Sequence, residues 1–180
     1  MQRTISAHGL HFIGKNGWEG EKLTLYWDAK GGCWTIGEGH AFIGMGRAAS
    51  LARLRAELAA LNLGEPSGPD GSTITEPQAD GLLAQDLAPV QAAINAIGVA
   101  LSQNAFDALC SFGINLGTGM FNRGHTLADA LRRGDMAGAA AAFELYDHDA
   151  TGAVNQGLLN RRRSERDLFV TPDEPALEAA

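Results

Sequence analysis

Apolar residues change period along this chain. Leu10, Phe12 and Ile13 follow Ser6, a residue suited to open a helix, and Gly14 and Gly17 weaken its end. From Lys22 the period drops to two. Leu23, Leu25 and Trp27 alternate with polar residues, Asp28 to Gly32 reads as a turn, and Cys33 to Ile36 reads as a second strand. This predicts an antiparallel hairpin ended by Gly37 and Gly39. Beyond it the spacing is helical. Leu51, Leu54, Leu58 and Leu61 share one face, and a Gly-, Pro- and Ser-rich loop covers 64–72. Thr75 with Gln78 forms a capping box for a helix carrying Leu82, Leu83, Leu87 and Val90, which Pro89 is expected to kink or restart. Ser102 caps a helix through Phe106, Leu109 and Phe112 that Gly113, Gly117 and Gly119 break. Thr126 and Asp135 cap two short helices, and a last helix covers Gln156 to Phe169.

The order predicts an α+β chain, mainly helical, with a small antiparallel sheet near its start. We expect one domain over 1–170: a helix and sheet lobe to about 73, a linking helix over about 75–98, a helical lobe over about 99–170, and a disordered tail over 171–180. A cleft between the lobes would suit an extended substrate.

Composition narrows the function. A chain of 180 residues is long enough to bury a core without staples. The net charge is −7, and three of its acidic side chains lie in the last ten residues. No basic stripe with interleaved aromatics suggests nucleic acid; the run Arg161, Arg162, Arg163 and Arg166 reads as a solvated or ion-paired helix face. Cys33 and Cys110 are expected as free thiols. No apolar run is long enough for a membrane span, and the N-terminus lacks the pattern of a secretory signal.

Chemistry concentrates in residues 18–40. Glu19 follows the first helix beside Trp18, Asp28 ends the first strand nine positions on, and Thr35 lies on the second strand. Cleaving a glycosidic bond needs one carboxyl group that holds a proton and one that is ionised. Burial beside Trp18 is expected to raise the pKa of Glu19, while a polar turn keeps Asp28 ionised. The three side chains are expected to meet on one rim of the sheet.

The run Glu19-Gly20, Leu25-Tyr26-x-Asp28 and Trp34-Thr35-Ile36-Gly37-x-Gly39-His40 resembles the signature of phage-type lysozymes, the lambdoid and T-even endolysins of glycoside hydrolase family 24. Matches continue through Ile74-Thr75, Gln78-Ala79 and Leu82 to Leu87. They go on through Gln103-Asn104-x-Phe106-Asp107, Asn115-x-Gly117 and Gly157 to Phe169. The resemblance covers about residues 5–170. It implies a lysozyme that hydrolyses the β-1,4 bond between N-acetylmuramic acid and N-acetylglucosamine in peptidoglycan. Glu19 would be the general acid, Asp28 would activate water and Thr35 would support that water, with inversion as in T-even relatives. It places Gln103, Phe106, Asn115 and Gly117 along the substrate, Arg161 or Arg162 as an ion pair near Glu19, and His40 with Asp86 as a structural pair. Two departures stand out. Four residues separate Ile13 from Trp18, about two more than the family's usual, and six separate Asp28 from Thr35 where five are usual.

No cofactor or metal is called for. Asp147-x-Asp149-x-Thr151-Gly152 imitates a calcium loop, but position twelve is Leu158 where glutamate is needed. His8 and His11 lie one helical turn apart without a third ligand. The expected protein is a monomeric endolysin without stable membrane association. It would accumulate in the host cytoplasm and reach the wall once a holin opens the membrane. The competing readings are a lysozyme-like module that binds glycan or protein without cutting, and a lytic transglycosylase.

Overall fold

The computed structural model describes residues 2–148 and 151–173. Among the described residues, seven α-helices and one three-stranded sheet follow each other as α1 (Ala7–Ile13), β1 (Lys22–Asp28), β2 (Cys33–Gly37), β3 (His40–Phe42), α2 (Arg47–Ala60), α3 (Glu76–Asn95), α4 (Gln103–Leu116), α5 (Thr126–Arg132), α6 (Met136–Ala142) and α7 (Gln156–Val170). The expected α+β class holds. The chain divides into two compact units, His11–Ala88 and Met1–Leu10 with Pro89–Ala180. The first ten residues therefore belong with the helical part and not, as expected, with the sheet.

The first unit, residues 11–88, holds the sheet. β1 pairs β2 and β2 pairs β3, all antiparallel. The expected hairpin is present, but the chain does not leave the sheet at Gly37 and Gly39. Those glycines turn it into β3, where His40 pairs Ile36 and Phe42 pairs Trp34. Three residues are too few for alternation to register as a strand. Leu25, Ile36 and Phe42 from the sheet pack with Leu51, Leu54 and Leu58 of α2 and with Ile74, Ala79 and Leu82. Leu54 and Leu58 are fully buried, so the stripe read from their spacing is the face that makes this core. Gln78 Oε1 accepts from Thr75 N–H at 2.9 Å, and its Nε2 donates to the carbonyls of Leu63 and Glu65, fastening the 64–72 loop to the start of α3.

The second unit is helical. Ser102 caps α4 through Ala105 N–H and Asp135 caps α6 through Gly138 N–H, as expected. Thr126 is the first residue of α5, and the cap position falls to His125, which makes no side-chain cap bond. Phe112 lies at the centre, edge-on to Phe143 and Tyr146 and tilted against Phe121. Gly113 does not break α4, which continues to Leu116. A Cβ there would stand 2.5 Å from Val90 Cγ1 and 2.7 Å from Phe121 Cε2. The glycine is a packing contact inside a helix, and Gly117, at φ +87°, is the residue that ends it.

Two further expectations are corrected. Pro89 does not restart its helix: α3 runs through it to Asn95. The tail does not come free at 171 either. Asp173 accepts from Gln103 N–H and Asn104 N–H, and Asn104 Nδ2 donates to the carbonyls of Thr171 and Pro172. The rest of the expected tail, 174–180, lies outside the described residues, as does Asp149 of the calcium-like loop.

Candidate active site

Helix α1 ends at Ile13, not at Glu19. The chain loops out over 14–18 and returns, so that Glu19 N–H donates to Ile13 O at 2.9 Å and Trp18 N–H to Phe12 O at 3.2 Å. The extra residues before Trp18 thus form an excursion, and the glutamate comes back onto the open carbonyls of the helix end. Its carboxyl lies against the β2–β3 turn. Gly39, at φ +85°, leaves room for it: a Cβ there would be 2.9 Å from Glu19 Oε2.

Asp28 ends β1 opposite Cys33. Its Oδ1 accepts from Lys30 N–H at 3.0 Å and its Oδ2 from Gly31 N–H at 3.1 Å, so the turn that holds the extra residue also fixes the carboxylate. Each oxygen keeps a further lone pair for another donor. Thr35 is buried on β2, with its hydroxyl 3.7 Å from Cys33 Sγ.

One neighbour of these residues was not singled out from the sequence. Tyr26 faces Thr35 across the β1–β2 ladder. Burial pushes its phenol up from the usual value, the charges of Asp28, Cys33 and Glu19 push the same way, and a hydrogen bond with Thr35 works against them. The available signal was the period of two, which puts residues 26 and 28 on one face of β1. Lys22 Nζ sits 4.0 Å from the centre of the Tyr26 ring.

His40 joins two acids. Its Nδ1 lies 2.8 Å from Asp86 Oδ2, the partner expected, and its Nε2 lies 2.8 Å from Glu57 Oε2, a partner the sequence did not suggest. Burial alone would lower its pKa, but the bonds and charges of Asp86 and Glu57 outweigh that and raise it. The imidazole is tied into α2 and α3 through both ring nitrogens.

The other expected site residues are placed as follows by the fold. Phe106 is 1% exposed, in the core of the helical unit, and has no face left for a substrate. The Gln103 side chain is engaged by the Arg3 guanidinium, Thr4 O and Asp107 Oδ1, so it anchors the N-terminal segment instead of facing solvent. Asn115 and Gly117 are exposed at the end of α4. Arg161 and Arg162 are buried around Glu165, with Arg161 Nε 3.0 Å from Oε1 and Arg162 Nε 2.8 Å from Oε2. Arg163 and Arg166 pair with Glu144. The basic run is thus ion-paired, half inside the protein and half outside.

Residues 16–165 match the family model described as phage lysozyme. The chain belongs to the phage lysozyme family. The endolysin of Acyrthosiphon pisum secondary endosymbiont phage 1 is 33% identical over 169 residues, covering 92% of this chain and 97% of that relative. The endolysin of Salmonella phage P22 is 35% identical over 168 residues, covering 93% and 98%. Among solved structures, the muramidase domain of SpmX from Asticaccaulis excentricus aligns with a TM-score of 0.70 at 30% identity, over 94% of this chain and 99% of that one. A variant of P22 lysozyme aligns at 0.69 and 33% identity over the same shares. This phage lysozyme is therefore a lysozyme-type glycosidase with a muramidase function.

Proposed function

We propose that the chain is an endolysin that hydrolyses the β-1,4 bond between N-acetylmuramic acid and N-acetylglucosamine in peptidoglycan, with the β1–β2 hairpin and the loop before it as its chemical centre. Glu19 protonates the glycosidic oxygen. Asp28 takes a proton from the attacking water, and Thr35 holds that water by its hydroxyl. Two carboxyl groups in different roles are what glycosidic cleavage requires. The observation that carries this reading is geometric: the Glu19 carboxyl lies against the β2–β3 turn at Gly39, and Asp28 and Thr35 lie on the paired strands β1 and β2 of the same sheet. All three therefore belong to the sheet and the loop that leads into it. Glu19 rests against a turn that tolerates only glycine at position 39, and backbone donors orient Asp28.

The test is clearing of permeabilised Gram-negative cells by the wild type, Glu19→Gln and Asp28→Asn, with mass spectrometry of the released fragments. The wild type clears, both variants fold and fail to clear, and the fragments end in reducing sugars. Anhydro-sugar ends would mark a lytic transglycosylase instead, and clearing by Glu19→Gln would remove Glu19 from its role. Among the described residues, no helix is long and apolar enough to cross a membrane.

A further inference from the structure

Glu38 lies between the two glycines of the β2–β3 turn, Gly37 at φ +62° and Gly39 at φ +85°. Only glycine adopts this backbone easily, so the turn is fixed and the residue between them is aimed by it. Glu38 is aimed inward and is 5% exposed. Its Oε1 accepts from Lys15 N–H, in the middle of the excursion between α1 and Glu19. Its Oε2 is buried without a hydrogen-bond partner. Lys15 is held a second time, by its Nζ at 2.8 Å from Glu76 Oε2.

A buried acid with an unsatisfied oxygen is costly, and an apolar side chain would avoid that cost. Stability does not explain a glutamate here. Nor does a metal: among the described residues no group of His, Cys, Asp or Glu is spaced to hold one. What the position offers is reach. The turn touches the Glu19 carboxyl through Gly39 on one side, and through Glu38 it grips the strand of chain that delivers Glu19 on the other. The far end of the excursion is tied to α1 by Trp18 N–H and Glu19 N–H, while the amide of Lys15 at its start is held by Glu38. Gly17 N–H donates to Gly14 O, and a Cβ at Gly17 would lie 1.9 Å from Phe12 O, so the loop is folded tightly back and leaves little freedom to re-form elsewhere.

We propose that Glu38 is a positioning residue for the glycosidase reaction: by bonding Lys15 N–H it sets the loop that presents Glu19 to the glycosidic oxygen. This rests on the reading of Glu19 as proton donor. The carboxyl acts here as an acceptor at a given reach, not as a charge. The groups that face it are Lys15 from the loop, Glu21 from the approach to β1 and Asp80 from α3. Burial, followed by the charges of Asp80 and Glu21, raises its pKa against the effect of the Lys15 bond.

Three variants separate reach from charge. Glu38→Gln keeps an acceptor oxygen at the same distance, Glu38→Asp keeps the charge but shortens the arm, and Glu38→Ala removes both. The measurements are kcat and KM on purified peptidoglycan and amide hydrogen exchange at Lys15. We expect the Gln variant to stay within about twofold of wild type. The Asp and Ala variants lose roughly tenfold or more in kcat with KM little changed, since misplacement of a reacting group acts on the chemical step. Protection of Lys15 N–H persists in Gln and is lost in Asp and Ala. Full kcat in the Asp variant, or a Gln variant as poor as Asp, would overturn the proposal. If the Ala variant fails to fold, the Gln and Asp pair still decides. Glu19→Gln run in parallel keeps the two claims apart. Activity without Glu19 would sink the donor assignment, whereas the Lys15 exchange rates report on Glu38 whatever Glu19 does.

Discussion

At the residue scale, the informative groups are buried acids and the bases that answer them. His40 has a raised pKa, so its bonds to Asp86 and Glu57 favour the protonated ring. A group whose folded pKa is raised gives its full stabilisation below the unfolded value, about 6.5 for histidine, and loses it as pH rises through the folded value. Thermal melting should therefore show stability declining as pH climbs above about 6.5, and His40→Gln should flatten that decline. Glu165 shows the cost of removing half a pair. Burial raises its pKa, Arg162 and Arg161 lower it, and Ser111 Oγ donates to Oε1 at 2.7 Å. Glu165→Ala leaves two buried guanidinium groups facing each other, and denaturant titration should show a loss of about 3–5 kcal/mol. Glu19, Asp28 and Thr35 were legible as candidates because cleavage needs two carboxyl groups and because the spacing of these residues resembles a known signature. Tyr26 and Glu38 were not. Nothing in a single tyrosine or glutamate says which neighbours a turn will bring to it. Gln103 and Phe106 are the opposite case: a motif marks them, and the fold holds the first by Arg3, Thr4 and Asp107 and buries the second.

Elements were read well where a strong period covered a full helix and poorly where one residue had to decide. The α2 stripe and the caps of α4 and α6 follow from local chemistry that context does not reverse. Pro89 follows from local chemistry that context does reverse. It cannot donate to the helix ladder and crowds the turn before it, yet α3 continues because Leu82, Leu87, Val90 and Ile94 on either side of it are buried. Pro89→Ala should restore the missing donor. We expect a gain of about 2 kcal/mol, the helix penalty of proline less the small advantage it takes from the unfolded chain. Gly113 is the mirror case, since glycine in a helix is normally a weakness. Gly113→Ala, usually helpful in a helix, should cost about 1–3 kcal/mol here because its methyl overlaps Val90 and Phe121. Melting curves of the two variants should move in opposite directions.

For the molecule as a whole, the boundary between the compact units falls within α3, between Ala88 and Pro89. No change of composition announces it, and for that reason the sequence places the first ten residues on the wrong side. Their true attachment is through side chains: Ser6 N–H and Oγ both bond Asp107, and Asn95 exchanges bonds with the backbone of Arg3. The other chain end is attached by the same means. Asp173 caps α4 from outside the helix, alongside the cap from Ser102, and the bonds from Asn104 and Gln103 lower its pKa. This has a practical side for anyone making the protein. An affinity handle joined beyond residue 173 leaves that stopper in place, while a gene trimmed at the last turn of α7 pulls it out and opens two amides to water. Recombinant batches differing by three codons should then differ in how fast a protease nicks them.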